Sequence, residues 1–289
     1  MNDMLHSTIA TSAIAARYEK DGYYFPHNVS SEAEAAGLLA DLEAAEADVS
    51  GDRARLSLLR SYPSQLLPSF AGLIRHPRLI EAASQIIGPD LLVWSCGFFI
   101  KEAGSKSFVS WHQDLNYWGL DGDDEVTAWV ALTPATVETG CMRFVPGSHR
   151  KQDVPHVDKF APDNLLTRGQ ELAVEVDETS AANVLLRAGQ ASLHHGHLFH
   201  ASGPNTANAR RVGVAIRYVA PSMKQVSGDR LLVSLVNGED RHGHFEHMPA
   251  PAGRLLAEDW ERARRNAEMK REILYSGVKP ELVKVNRRG

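Results

Sequence analysis

The sequence predicts a mainly β fold with flanking helices, an antiparallel sandwich or barrel. Apolar residues recur at helical spacing within residues 1–90. From Leu91 onward, short runs rich in Val, Phe and Trp are separated by turns that contain Gly, Asp or Pro, without regular alternation of strands and helices. With 43% hydrophobic and 23% charged residues, the composition excludes a disordered, fibrous or disulfide-stapled protein.

Two helices are predicted in the N-terminal flank, residues 1–90. Ser31 and Glu34 form the S-x-x-E pattern of a capping box, and leucines at helical spacing follow it. The second helix is predicted to begin at Pro77, because proline is favoured at the first helical position. It is predicted to end at Gly88 and Pro89, which interrupt helices.

The β-rich core is predicted within residues 91–222. Its strand-forming runs are LLVWSCGFFIK, SFVSWHQ, EVTAWVALT, MRFVPG, ASLHHGHLFH and RRVGVAIRYV. Residues 151–187 have mixed charge and little periodicity, so we interpret them as an insertion between strands, a type of loop that often forms a lid. Residues 223–289 are interpreted as a C-terminal lid segment and a charged amphipathic helix at residues 255–275. No repeat or linker divides the chain, so a single domain over residues 1–289 is expected.

Charge and cysteine content narrow the class of partner. The chain has 31 basic and 36 acidic residues, a formal net charge of −5, which gives no reason to expect a nucleic acid or an anionic membrane. No apolar run approaches the roughly 18 residues of a membrane span, and the N-terminus lacks the pattern of a signal peptide. Cys96 and Cys141 are the only cysteines and form no CxxC motif. We therefore expect reduced thiols and a cytoplasmic location.

The histidines are unevenly distributed and predict a metal site. His112 and Asp114 stand two residues apart in a predicted strand, so both side chains project from one face and can reach one metal ion. With a second histidine from elsewhere, they would form the 2-His-1-carboxylate triad of non-haem Fe(II) oxygenases. A solvated histidine surface or a tetrahedral zinc site is the alternative. Four further histidines fall within seven residues: His194, His195, His197 and His200.

Two arginines follow the histidine cluster at the start of a predicted strand. Arg210 and Arg211 come shortly after His200 in the chain. A guanidinium beside a metal ligand suits the far end of a dicarboxylate co-substrate, because arginine binds carboxylates with two parallel hydrogen bonds. Spacing alone does not distinguish this role from a solvated strand end.

Four segments carry a resemblance to a known family: WHQDLNYW, TAWVALT, GCMRFVPGSH and HHGHLFHASGPNTANARR. With these four segments in this order, over about residues 98–219, the chain resembles the phytanoyl-CoA dioxygenase family of Fe(II)- and 2-oxoglutarate-dependent oxygenases. The resemblance implies a double-stranded β-helix, the cupin-like jelly roll, with the metal between its two sheets.

The resemblance also implies roles for individual residues. The metal ligands would be His112, Asp114 and His200. The arginine that binds 2-oxoglutarate would be Arg211, eleven residues after the distal histidine, rather than Arg210. Further contacts to the co-substrate would come from Gln113, Trp129 and Ser202. The resemblance assigns no role to His194, His195 and His197, for which packing and hydrogen bonds behind the ligands are the structural expectation.

Candidate contacts to the primary substrate come from segments near the triad. In the family, the turn after the first ligand pair borders the substrate. The strand before this pair and the stretch after the last core strand supply further candidates. The full set is Phe98, Asn116, Tyr117, Trp118, Met223 and Lys224. The polar and aromatic residues 240–247 are interpreted as a lid, or as a second metal site formed by chance spacing.

The implied reaction is an oxidation coupled to decarboxylation of 2-oxoglutarate. Fe(II), 2-oxoglutarate and O2 would be used, succinate and CO2 released, and a C–H bond hydroxylated. Halogenating family members have Gly or Ala where this chain has Asp114, so hydroxylation is expected. In the alternative function, the same hydrogen abstraction ends in desaturation, cyclisation or epimerisation. A more distant alternative is a non-oxidative jelly-roll metal-binding protein or a zinc hydrolase. No basic patch suits a CoA nucleotide, so we expect a small-molecule metabolite as substrate and a monomer or homodimer.

Overall fold

The computed structural model describes residues 12–152, 154–166, 168–226 and 230–275. Six helices and one strand precede the β-rich region, and one long helix follows it. In chain order these elements are α1 (Ala13–Asp21), β1 (Tyr23–Asn28), α2 (Glu32–Asp48), α3 (Arg53–Ser61), α4 (Pro63–Leu66), α5 (Pro68–Leu73), α6 (Pro77–Ile87) and, at the C-terminal end, α7 (Ala257–Leu274).

The helix boundaries predicted from the sequence are confirmed. In α2 the Glu34 amide donates to the Ser31 hydroxyl at 3.2 Å, and the Ser31 amide donates to the Glu34 carboxylate at 2.8 Å, which completes the capping box. Helix α6 begins at Pro77 and ends before Gly88, whose φ of 90° is readily available only to glycine.

Among the residues that the structure describes, the β-rich region consists of twelve strands after β1. They are β2 (Leu91–Lys101), β3 (Val109–His112), β4 (Glu125–Ala131), β5 (Met142–Phe144), β6 (His156–Asp158), β7 (Gln170–Leu172), β8 (Ala182–Asn183), β9 (Gln190–His194), β10 (His200–Ser202), β11 (Arg211–Val219), β12 (Leu232–Asn237) and β13 (Glu246–His247). Among the described residues, one sheet has the order β1-β9-β4-β11-β2-β12-β13, a second has the order β3-β10-β5-β8, and β6 pairs with β7.

The central strands β4 and β11 of the larger sheet are buried on both faces. The alternation of side chains along these strands decides what each face contacts. Val212, Val214 and Ile216 of β11 pack with apolar residues of α3 to α6. The intervening residues of the same strand, Arg211 and Arg217 among them, face the smaller sheet and line the space between the sheets. The predicted antiparallel sandwich is therefore confirmed, with helices covering its larger sheet.

The two segments interpreted as lids differ in their relation to the cavity described below. Leu165, Leu166 and Gln170, in the insertion at residues 151–187, line that cavity. Residues 151–187 contain three short strands, and the Ser110 hydroxyl donates to the carbonyl of Gln170, which attaches this segment to β3. Residues 240–247 pack beside β12, where Phe245 is buried, and none of them lines the cavity described below. No helix of the described ranges is long and apolar enough to cross a bilayer.

Candidate metal centre and its cavities

The sheet register brings the three predicted metal ligands together. Strands β3 and β10 are antiparallel neighbours, with His112 directly opposite His200. Asp114 follows two residues after His112, where the strand turns into a short 3-10 helix. One ligand atom from each side chain lies within 4.8 Å of the other two, and all three residues are buried. Across the described ranges this is the one group of three or more His, Cys, Asp or Glu side chains close enough to hold a metal ion.

Hydrogen bonds to carbonyl oxygens fix the orientation of both imidazole rings. Nδ1 of His112 donates to the carbonyl oxygens of Ser110 at 2.9 Å and His200 at 3.0 Å, and Nδ1 of His200 donates to that of Leu198 at 2.9 Å. A carbonyl oxygen only accepts, so the proton of each neutral ring lies on Nδ1. The Nε2 lone pairs are free for a metal, and Nε2 of His112 lies 3.4 Å from the Asp114 carboxylate.

The electrostatic environment keeps this group ready to bind a cation. Burial disfavours the charged Asp114 carboxylate, but the Arg217 guanidinium, 3.7 Å away, and the nearby histidines hold its pKa below the usual range. Burial and the neighbouring His112 lower the pKa of His200 to about 3. An ionised carboxylate and a neutral imidazole are the forms in which these residues coordinate a metal.

An inner cavity between the sheets extends from the triad to Arg211. We use this name for the space lined by Trp129, His200, Ser202, Arg211 and their neighbours. The Arg211 guanidinium lies 5.1 Å from the Trp129 ring centroid and donates to the carbonyl of Gly140 at 2.8 Å. Its Nε has no hydrogen-bond partner although the residue is only 1% exposed. A buried guanidinium with an unsatisfied donor fits an anionic ligand that binds inside the protein.

Trp129 reaches this position because the adjacent strand carries a glycine. A β-carbon at Gly213 would lie 1.8 Å from the Trp129 ring. Trp129 therefore lines the inner cavity beside Arg211.

The structure adds Lys101, which sequence reasoning missed, to the surroundings of the inner cavity. Lys101 is opposite Arg211 in the β2–β11 pair and is fully buried. Its ammonium donates to the Ser202 hydroxyl at 2.7 Å and to the carbonyl of Gly203. Burial and the proximity of Arg211 lower the pKa of Lys101 to about 7. The signal in the sequence was a lysine at the end of the largely apolar run LLVWSCGFFIK.

Gln113 and Arg210 lie away from the inner cavity. The Gln113 amide donates to the carbonyls of Lys151 at 2.9 Å and His197 at 2.8 Å, on the side of the strand opposite His112, so it holds loops together and lines neither cavity. Arg210 pairs with surface carboxylates, among them Glu46 at 2.8 Å. The alternation of side chains along a strand thus places Gln113 and Arg210 away from the inner cavity, although each is adjacent in sequence to a residue that lines it.

The other histidines of the cluster have mainly packing contacts. The His194 ring lies 5.0 Å from that of His200 and also lines the inner cavity, and burial lowers its pKa well below the usual value. His195 stacks on His197 at 5.6 Å and accepts a hydrogen bond from the His197 amide. Neither of these two lines a cavity.

A larger outer cavity of about 520 Å³ opens on the other side of the triad. The two cavities share His112, Asp114 and Arg217 in their linings, so a molecule in the outer cavity would lie beside the metal centre. Of the candidate substrate contacts, Phe98, Tyr117 and Trp118 line the outer cavity. The last turns of α7 close one side of it, which the sequence did not indicate.

Three candidate substrate contacts do not line the outer cavity. The Asn116 amide donates to the carbonyl of Val154 at 3.2 Å in the adjoining surface cleft. Met223 is buried in an apolar cluster with Trp118, and Lys224 is exposed. The stretch after the last core strand therefore packs behind the wall of the cavity instead of facing it.

Comparison with known proteins identifies the family. Residues 18–213 match the family model described as phytanoyl-CoA dioxygenase (PhyH). The chain belongs to the phytanoyl-CoA dioxygenase family. This confirms the resemblance carried by the four sequence segments.

Curated relatives align with about half of the chain. Ectoine dioxygenase of Bordetella parapertussis is 30% identical over 149 residues, which cover 46% of this chain and 48% of that protein. L-proline trans-4-hydroxylase of Streptomyces griseoviridis is 27% identical over 172 residues, covering 51% and 62% respectively. The chain spans about half the length of the first of these curated relatives.

Solved structures align over more of the chain. The non-heme monooxygenase ThoJ, in its apo form, shares 34% identity with a TM-score of 0.81, covering 91% of this chain and 98% of ThoJ. The epimerase SnoN, solved with Fe3+, alpha-ketoglutarate and nogalamycin RO, shares 25% identity with a TM-score of 0.59, covering 73% and 84%. These likenesses confirm the predicted jelly roll. The relatives' names include dioxygenase, hydroxylase and monooxygenase, which agree with the predicted oxygenase class. The iron and alpha-ketoglutarate in the SnoN complex agree with the predicted metal and co-substrate.

Proposed function

We propose that this chain is an Fe(II)- and 2-oxoglutarate-dependent dioxygenase that hydroxylates an unactivated C–H bond of a small-molecule metabolite, with release of succinate and CO2. One observation carries the proposal. The buried His112, Asp114 and His200 cluster shares a cavity with Arg211, whose guanidinium keeps an unsatisfied donor. A metal ion at one end and a dicarboxylate spanning to Arg211 would satisfy both groups.

Some residues of the site would bind the metal and the co-substrate, and another would orient the binding group. His112 and His200 offer Nε2 and Asp114 offers a carboxylate oxygen, so iron would be held on one face with the opposite face open. Bound iron, with 2-oxoglutarate and O2, would supply the oxidising chemistry. Arg211 would pair with the far carboxylate of 2-oxoglutarate, and the Trp129 ring beneath it limits the positions that the guanidinium can adopt.

The outer cavity would position the primary substrate beside the metal centre. Its walls include the rings of Phe98, Tyr117 and Trp118, which offer apolar surface to a bound molecule. Because the cavity reaches Asp114 directly, a substrate bound in it would lie beside the residues that would hold the metal, without a rearrangement of the sheets. Filling this volume would also exclude water from the reacting groups.

The test is spectroscopic. Fe(II) and 2-oxoglutarate are added to apo-protein without oxygen, and the weak visible charge-transfer band of an iron-chelated keto acid is measured. The band should appear in the wild type and weaken in Arg211→Ala and His200→Ala. No band, together with tight zinc binding, would favour a hydrolase or a binding protein instead.

Product mass separates hydroxylation from the other outcomes. Asp114 occupies the carboxylate position, which supports hydroxylation over halogenation. Structural relatives include an epimerase and a carbocyclase, so related folds support different outcomes. Once a compound that stimulates succinate formation is found, a gain of one oxygen would support hydroxylation. A loss of two hydrogens would show desaturation or cyclisation, and an unchanged mass would show epimerisation.

We infer a reducing, cytoplasmic setting and a monomer or homodimer. Both cysteines are buried free thiols, and burial raises the pKa of Cys96 to about 12, which makes it unreactive. Light scattering on the purified chain would distinguish a monomer from a homodimer.

A further inference from the structure

The lining of the outer cavity has an excess of positive charge. Four cationic side chains line it: Arg60, Arg217, Lys270 and Arg271. Among the described lining residues the carboxylates are limited to Asp114, which is a metal ligand in the proposed function. A divalent ion on Asp114 would more than cancel that negative charge. The cavity would therefore be cationic when the metal is bound.

Lys270 is held in this cavity by aromatic rings and not by a carboxylate. Its ammonium lies 4.5 Å from the Trp94 ring centroid. Trp94 stacks on Trp118 at 4.9 Å, and the Arg217 guanidinium lies 5.2 Å from the Trp118 ring. Of the two stacked indoles, Trp94 thus contacts the Lys270 ammonium and Trp118 contacts the Arg217 guanidinium. Cation–π contacts of this kind hold a cation in place while leaving its hydrogen-bond donors free for a ligand.

The four cations differ in whether an anion already neutralises them. Arg60 pairs with Glu46 at 2.7 Å, and Arg217 faces Asp114 at 3.7 Å. Lys270 and Arg271 have no carboxylate within 4 Å among the residues that the structure describes. Burial and the nearby Arg217 lower the pKa of Lys270 to about 7, the direction expected for an ammonium without an anionic partner.

We propose that the primary substrate is an organic anion whose carboxylate or phosphate group binds Lys270, with Arg271 beside it, at the α7 end of the outer cavity. Its apolar body would lie along Phe98 and Trp118, with the reacting carbon toward Asp114. This inference rests on the proposed function, because it assigns the outer cavity to the substrate and the inner cavity to 2-oxoglutarate. It explains why α7, far away in sequence, contributes a lysine to the site.

Matched ligands test the proposal on the full chain. The protein is loaded with Fe(II) and saturating 2-oxoglutarate without oxygen, and calorimetric titrations are made with biphenyl-4-carboxylate, biphenyl-4-yl phosphate and biphenyl-4-carboxamide. The three share one apolar body, and the amide lacks the charge. We expect at least one anion to bind about tenfold or more tightly than the amide, the size expected for a charge-assisted hydrogen bond.

Variants assign the effect to Lys270. Lys270→Gln should weaken anion binding about tenfold and leave amide binding unchanged, while Lys270→Arg should largely retain anion binding. Lys106→Gln is the matched control, since Lys106 is exposed and does not line the cavity. The preference between carboxylate and phosphate identifies which anion the site accepts.

The charge-transfer band, measured in the same samples, shows whether a negative result concerns the proposed function or only the anionic substrate. No band in the wild type would overturn the proposed function. A normal band with equal binding of amide and anions, or with anion binding unaffected by Lys270→Gln, would overturn the anionic substrate alone. A band that is lost in Lys270→Gln would also overturn it, because Lys270 would then serve 2-oxoglutarate.

Discussion

Arg211 and Arg210 are adjacent in sequence, and the structure predicts different consequences for their removal. Arg211→Ala removes the buried guanidinium at the end of the inner cavity. Arg210→Ala removes a partly exposed guanidinium that pairs with Glu46 at 2.8 Å and Glu102 at 3.1 Å. Only the first change leaves the far carboxylate of bound 2-oxoglutarate without a partner.

The size of the difference follows from burial. Removing one partner of a buried ion pair costs about 3–5 kcal/mol, because the remaining charge stays buried and uncompensated. At 1.4 kcal/mol for each factor of ten, the dissociation constant for 2-oxoglutarate should rise roughly 10²- to 4 × 10³-fold in Arg211→Ala. Burial lowers the pKa of Arg211 to about 10, so the side chain is still charged at neutral pH. A partly exposed pair such as that of Arg210 contributes about 0–1 kcal/mol, and to stability rather than to co-substrate binding.

The assay is an anaerobic titration of 2-oxoglutarate, read by the charge-transfer band at fixed Fe(II). Arg211→Lys should lie between the wild type and Arg211→Ala, since lysine keeps the charge but not the paired donors or the flat contact with Trp129. Thermal unfolding of each variant controls for loss of fold. Equal dissociation constants for Arg211→Ala and Arg210→Ala would refute the assignment of the inner cavity to 2-oxoglutarate.

Three further predictions address the ligand set, the buried lysine and the pH dependence. Asp114→Gly should abolish hydroxylated product, measured by mass spectrometry; coupled turnover that persists would show that the ligand is another residue. Lys101→Met frees the Ser202 hydroxyl and removes a nearby charge, so the dissociation constant for 2-oxoglutarate should rise about tenfold in the same titration, and an unchanged value would contradict this role. Burial lowers the pKa of His195 to about 4, whereas the unfolded imidazole titrates near about 6.5. The stability from this neutral imidazole is complete above about pH 6.5 and is lost as the pH falls. Between pH 7 and 5, the wild type should lose about 2 kcal/mol more unfolding free energy in urea titrations than His195→Gln, and parallel losses would refute this.

Local patterns predicted the main helices and strands and the first pair of candidate metal ligands. The capping box of Ser31 and the proline start at Pro77 marked helices, because these signals act within one helical turn. The two-residue spacing of His112 and Asp114 placed both on one face, because side chains alternate along a strand. The resemblance then selected His200 from the cluster, and the strand register confirms that it lies opposite His112.

The same alternation explains a prediction that the structure does not support. Gln113 lies between two candidate ligands in sequence and therefore on the opposite side of the strand, where it donates to loop carbonyls. Met223 and Lys224 show a different limit of sequence reasoning. They follow the last core strand, but the direction of the chain beyond a strand depends on packing, and here it turns behind the cavity wall.

The sequence by itself predicted the main strands and helices and the pairing of His112 with Asp114, because periodicity and short spacings are properties of neighbouring residues. The choice of His200 and Arg211 as candidates came from the family resemblance, since spacing did not distinguish Arg211 from Arg210. The tertiary structure decided which distant side chains complete the site. Lys101 meets Arg211 only through the pairing of β2 with β11, and Lys270 enters the outer cavity only because α7 packs across its opening. Such contacts depend on the packing of whole elements, which the sequence of any one element does not specify.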